Sequence, residues 1–170
     1  MVTHVIDGKG HLMGRLASIC AKELLEGKKI IVVRCEKIEK SGSHIRNKLK
    51  LISRSKKRTT TNPKRGPFHF KTPSQAFWKS VRGMLPHKTF RGSNALMRLK
   101  LFDGVPSGLI HIRKLIVPSA LRIIKLAPNR RFTQIGKIFS ELGWNKQKLI
   151  QNKDENLKTL GKIFWKKNII

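Results

Sequence analysis

From Lys40 to Lys100 the sequence contains no aspartate and no glutamate. The same stretch carries Lys40, Arg46, Lys48, Lys50, Arg54, Lys56, Lys57, Arg58, Lys64, Arg65, Lys71, Lys79, Arg82, Lys88, Arg91, Arg98 and Lys100. Cations at that density repel one another, and a compact fold that holds them loses stability unless a polyanion supplies the opposing field. Cysteine is scarce too. Cys20 and Cys35 sit in apolar patterns at a spacing that matches no zinc motif, and they read as buried free thiols of a reducing compartment. No stretch approaches the roughly 20 apolar residues a membrane-spanning helix needs. Met1 to Gly10 has no apolar secretory core, so a cytosolic protein with a nuclear passage is expected. The histidines (His4, His11, His44, His69, His87 and His111) show no i,i+4 pairing, so no metal site is expected. A Gly-x-Ser-x-Gly nucleophile motif is missing, and the few carboxylates form no acid–base constellation. The reading is of a protein without catalysis, cofactor or small-molecule substrate.

What is present points to nucleic acid. The 170 residues carry a net charge of +29, with a sequence pI of about 11.3. Solubility alone needs a net charge of only about 2–8 in a small domain. Apolar residues make up 39% and mean hydropathy is -0.34, enough for one core and not for two. Phe68, Phe70, Phe77, Trp78 and Phe90 are interleaved with the cations, which a purely disordered basic tail would lack. Phe77 belongs on the inner face of a helix. Phe68, Phe70 and Phe90 lie in Gly/Pro loops, where packing within the loop is favoured over stacking on a base. Lysines and arginines spread over several elements suit the shape of a folded RNA better than a DNA sequence. No helix-turn-helix, zinc-finger, homeodomain or basic-zipper pattern competes.

Periodicity gives the architecture. Val5-Ile6 is a short strand, and Leu12, Leu16, Ile19, Cys20 and Leu24 recur as one helical face closed by Gly27. Ile30 to Val33 is a β-branched run expected to be covered on both faces. Strand, helix, strand within about 30 residues is a βαβ unit of an α/β fold on a mainly parallel sheet. Ser43 is placed as an N-cap before a helix with Ile45, Leu49 and Ile52 on one face, and Lys56 to Pro63 is an exposed loop. Pro73-Ser74 opens a helix ended by Pro86, Ser93-Asn94 starts a short one using Leu96 and Leu99, and Leu101-Phe102 enters a strand. Pro118-Ser119 begins a helix to Leu126, and Ile135, Ile138, Phe139 and Leu142 mark another before Gly143. From Trp144 the Lys/Asn/Gln-rich tail, with Leu149, Leu157, Leu160, Phe164 and Trp165 widely spaced, is a helical extension in need of a partner surface.

Gly8, Gly10 and Gly14 between strand and helix, with Glu36 after the next strand, evoke a dinucleotide fingerprint. Met13 occupies the place of the third glycine, so a strained turn whose Lys9 and His11 meet a backbone phosphate fits better.

The segment Ile6-Asp7-Gly8-Lys9-Gly10-His11-Leu12-Met13-Gly14-Arg15-Leu16-Ala17-Ser18 resembles the opening signature of the universal large-subunit ribosomal protein thirteen family. Val32 to Glu36 and Ser41-Gly42 are similar to its second strand and following turn. Asn62-Pro63-x-x-Gly66-Pro67-Phe68-His69-Phe70-x-x-Pro73-Ser74, Val81 to Thr89 and Arg91-Gly92 resemble its archaeal and eukaryotic branch, and a eukaryotic cytosolic member is expected. The match runs from about Val5 to Pro106 and extends weakly through Val117 to Arg122 and Gly143-Trp144. The resemblance implies a three-layer α/β/α fold around a four-stranded, mostly parallel sheet, with residues 1–106 as the rRNA-binding domain and 107–170 as a C-terminal helical extension. It implies a structural and assembly role in the cytoplasmic large ribosomal subunit, with nucleolar passage during assembly. Implied partners are large-subunit rRNA and neighbouring ribosomal proteins, with no membrane. The implied RNA-facing residues are Lys9, His11 and Arg15; Arg46, Lys48, Lys56, Lys57, Arg58, Lys64, Arg65, His69 and Lys71; and Arg82, His87, Lys88, Arg91 and Arg98. The tail departs from the family in being short and Lys/Asn/Gln-rich. Two rival functions stay in view: a free RNA-binding translational regulator, and a nucleotide-dependent enzyme using the Gly8 to Gly14 turn.

Overall fold

A computed structural model describes residues 3–156. The fold is mixed α/β, broadly three-layered. Three short parallel strands, β1 (Thr3–Asp7), β2 (Lys29–Val33) and β4 (Leu99–Leu101), lie in the order β1-β2-β4. The expected fourth strand position is held by a single residue: Leu115 bridges Ile6 in parallel, donating to the Val5 carbonyl at 2.7 Å and accepting from Asp7 N–H at 3.0 Å. A separate antiparallel pair joins β3 (Glu39–Ser41) to β5 (Phe132–Gln134), with Ser41 opposite Phe132. Neither strand was foreseen from the sequence.

Helix α1 (Met13–Leu25) follows the predicted stripe, burying Leu16, Ala17, Cys20, Ala21 and Leu24. Its C-terminus turns at Gly27, whose φ of +95° only glycine adopts without strain. Parallel register puts Ile6, Ile30, Val32 and Leu99 on one face of the sheet, where they meet α1 and the inner side of α3 (Pro73–Met84). Phe77 and Val81 of α3 are fully buried in that cluster. Each such side chain contributes about 1.5–3 kcal/mol relative to exposure. On the other face Val33 is fully buried and Ile31 half-buried, so the expected cover on that side is complete only at the C-terminal end of β2.

Helix α2 (His44–Lys56) begins where expected, with Ser43 Oγ accepting from Arg46 N–H at 3.4 Å. Two residues of its expected stripe nevertheless face outward, Ile45 being 71% and Leu49 60% exposed, while Ile52 is half-buried and Leu51 packs against the core. The buried residue of this helix is Asn47, whose amide donates to the Ser41 and Gly42 carbonyls at 3.2 Å each. Helix α4 (Phe90–Met97) starts three residues earlier than predicted because Thr89 Oγ1 accepts from Gly92 N–H. Strand β4 accordingly claims Leu99 from the expected helix.

The chain beyond residue 107 joins the same core. Ala120, Ile135, Phe139 and Trp144 pack with Cys35, Ile38 and Phe77. The predicted helix from Pro118 divides into a 3-10 turn (Pro118–Ala120) and α5 (Arg122–Lys125), and α6 (Ile135–Glu141) matches its predicted stripe. Residues 147–156 are helical, tied to the body by an ion pair between Asp154 and Lys37. Leu157, Leu160, Phe164 and Trp165 lie outside the described residues.

Candidate nucleic-acid interface

The first turn divides the three residues expected there. Lys9 and Arg15 are exposed at the start of α1, where the N-cap Leu12 offers no side-chain acceptor to the helix amides. His11 is fully buried instead. Its Nδ1 donates to the Lys9 carbonyl and its Nε2 accepts from Val117 N–H, both at 3.0 Å, so the ring is the neutral tautomer locking the turn to the C-terminal segment. Burial pushes its pKa below the ordinary histidine value, against the raising influence of the Lys9 carbonyl and Asp7. His11 therefore faces the interior and cannot meet a phosphate. The glycine turn is built around backbone contacts: Gly8 N–H donates to Val33 at 2.8 Å, and a Cβ at Gly8 would come within 3.0 Å of that oxygen. Glu36, the residue a dinucleotide ribose would need, is buried and accepts from Gly104 N–H at 2.8 Å.

The central group lies on α2 and the loop after it. Arg46, Lys56, Lys57, Arg58, Lys64, Arg65, His69 and Lys71 are exposed. Two polar contacts shape this loop: His69 Nε2 donates to the Lys57 carbonyl at 2.8 Å, and Asn62 Oδ1 accepts from Lys64 N–H at 3.1 Å. Lys48 is half-buried and paired with Glu141 at 2.6 Å. Lys79 donates to the Phe68 carbonyl and lies 5.7 Å from the Phe70 ring centroid. Burial, then Arg54 and Arg82, lowers its pKa.

In the turn between α3 and α4 Lys88 is exposed and His87 half-buried, and Arg91 is exposed in the first turn of α4. Arg82 is half-buried, with its guanidinium 5.8 Å from the Trp78 ring centre in a cation–π contact. Arg98 is turned inward: its Nη2 donates to the Leu24 carbonyl at 2.8 Å, satisfying an end carbonyl of α1. Phe68 and Phe90 are 69% and 84% exposed, so the packing expected of them within their loops is not made. Phe70 does pack, edge-on to Trp78 at 6.0 Å.

The acidic side chains leave most of this surface uncompensated. Asp7 pairs with Arg34, Glu23 and Glu26 with Lys28, Glu39 with Arg122, and Asp154 with Lys37, all cations outside the central segment. Asp103 accepts from Ser74 N–H and Oγ at the start of α3, and Glu141 takes His44 and Lys48. Missed by sequence reasoning were Arg130 and Arg131, exposed beside β3 across a cleft from Arg46. Their only sequence signal was their adjacency. Among the described residues no group of three or more histidine, cysteine or carboxylate side chains could hold a metal, and no helix is long and apolar enough to cross a membrane.

A family model described as ribosomal protein L13 matches residues 1–107. A relative from Drosophila melanogaster, named large ribosomal subunit protein uL13, is 48% identical over 166 residues, covering 98% of this chain and 81% of its own. A protein of the same name from Spodoptera frugiperda is 50% identical over 154 residues, covering 91% and 76%.

Proposed function

Since this chain belongs to the ribosomal protein L13 family, we propose that it is a structural constituent of the large ribosomal subunit, lying against folded rRNA and neutralising part of its charge. The observation that carries this is the acid-free segment, most of whose cations are exposed and, Lys48 apart, have no carboxylate among the ion pairs described above. Residues 1–106 act as the rRNA-binding unit and 107–170 as an extension that braces it and reaches neighbouring ribosomal proteins. The phosphate-facing set is Lys9 and Arg15, the exposed cations from Arg46 to Lys71, and Arg82, His87, Lys88 and Arg91. The role is assembly and support without catalysis, in cytoplasmic ribosomes after nucleolar assembly.

The mechanism is electrostatic. Each neutralised phosphate releases condensed counterions, so affinity falls steeply with salt. Replacing Arg82, Lys88 and Arg91 together by Ala should weaken binding to large-subunit rRNA and leave the fold intact, as judged by thermal melting. In sucrose gradients the chain should sediment with large subunits; a chain found mainly in soluble fractions would favour a free regulator.

A further inference from the structure

Between the first turns of α2 and the loop that leads into β5 lies a cleft of about 600 Å3. Lys40, Arg46, Lys50, Arg130 and Arg131 all line it, and none of its lining residues is acidic. The floor is a hydrogen-bonded frame. Gly42 N–H donates to the Arg131 carbonyl at 2.8 Å, while Thr133 Oγ1 and the Asn47 amide both donate to the Gly42 carbonyl, at 3.1 and 3.2 Å. Gly42 itself has a φ of +102°, and Asn47 is 3% exposed. The cations therefore stand on backbone fixed before any ligand arrives, which lowers the ordering cost of binding. Lys40 is half-buried, and burial, then Lys50 and Arg54, lowers its pKa. An anion entering the cleft relieves that repulsion.

The dimensions decide between anions. A single phosphate would leave most of the space and several of the five cations unused. Three of the five are arginines, whose planar forks bind phosphate oxygens in pairs. We propose that this cleft grips a sharply bent stretch of RNA backbone in which two or more phosphates approach one another, with Arg130 and Arg131 closing one wall. This rests on the rRNA-binding reading above. It adds that the second wall comes from beyond residues 1–107, the part matched by the family model, so the C-terminal segment completes an RNA site as well as bracing the fold.

The test uses the full chain and large-subunit rRNA extracted from ribosomes, with binding measured from about 50 to about 200 mM salt. Arg130→Gln with Arg131→Gln removes one wall; Arg46→Gln with Lys50→Gln removes the other from exposed positions on α2. Lys22→Gln with Lys29→Gln removes the same charge from exposed positions elsewhere. Each cleft pair is expected to weaken binding at least tenfold and to reduce the log–log salt slope by about 1.4, for two contacts at about 0.7 each on a single strand. The control pair should shift neither by as much, and combining both cleft pairs should cost less than the two separate losses summed. Cleft variants that fold and behave like the control overturn the cleft while leaving the rRNA reading standing. A wild-type chain that fails to bind rRNA overturns both.

Discussion

Replacing His11 by Ala tests whether the turn at Gly8–Gly10 is a phosphate contact or a structural lock. The ring fills a site with no solvent exposure and joins the Lys9 carbonyl to Val117 N–H. Removing it forfeits two hydrogen bonds of about 1 kcal/mol each and leaves a buried donor and acceptor unpaired, at about 1–3 kcal/mol apiece, although water entering the void recovers part of this. The expected loss is about 3–5 kcal/mol, in the range seen when a large buried side chain is cut to Ala. At about 2–4 °C per kcal/mol for a chain of this size, the melting midpoint should fall by about 6–20 °C. The neutral ring adds a pH signature. Its folded-state pKa lies below the ordinary value of 6.5, so between those two values the unfolded chain holds more protons than the folded one. Stability from this group is complete above about pH 6.5 and declines as pH falls toward the folded value, at no more than about 1.4 kcal/mol per pH unit. Subtracting the variant's stability-against-pH curve from the wild-type curve isolates this contribution, because the other titrating groups are shared. Urea unfolding at several pH values, with rRNA binding measured well below both midpoints, gives the two readouts. An unchanged midpoint with rRNA binding lost would refute the buried role and restore the contact first expected of this residue.

Four further outcomes are expected. Arg122→Ala strands the Glu39 carboxylate, which is 5% exposed and bonded to Arg122 Nε at 2.6 Å, and should cost about 3–5 kcal/mol in urea unfolding; adding Glu39→Gln should recover much of it. Gly92→Ala would set a Cβ at 2.0 Å from the Pro86 carbonyl oxygen, so the start of α4 must move, and a loss above about 3 kcal/mol is expected in thermal melts. The Cys20 thiol, pushed up to about 12 by burial and then by Glu23, should resist disulfide reagents until the chain is unfolded, and rapid native labelling would contradict its place in the core. Phe90→Ala removes a largely exposed ring and should change stability by less than about 0.5 kcal/mol, so a large loss of rRNA affinity there would reveal base stacking.

Helix α1 and strand β2 were legible because their residues are chosen by burial, and burial writes a period into the sequence. The pair β3–β5 was not. Its strands have three residues each and lie some 90 positions apart, and Glu39 is buried through a partner, Arg122, that no local pattern announces. The stripe of α2 misled for a related reason: Ile45 and Leu49 have helical spacing but face outward, while the helix is held by Asn47, by Leu51 against the core and by the contacts of His44 and Lys48 with Glu141. Exposed cations such as Lys56, Arg58 and Lys88 were readable from composition, since a charge without a nearby acid stays in water. His11 and Arg98 lie in the same basic context, and only tertiary contacts reveal that they bond carbonyls inside the protein.

The partner of β3 emerges late in synthesis. When a translating ribosome has made the first hundred residues, Glu39, Lys40 and Ser41 present a naked strand edge, because Phe132, Thr133 and Gln134 do not yet exist. The carboxylate of Glu39 waits for Arg122 over the same interval. Such late closure makes folding slow, since a long loop must close before its contacts repay it. The nascent protein thus passes through a stage that is both cationic and open-edged, when a chaperone that shields strand edges would give the greatest protection against aggregation.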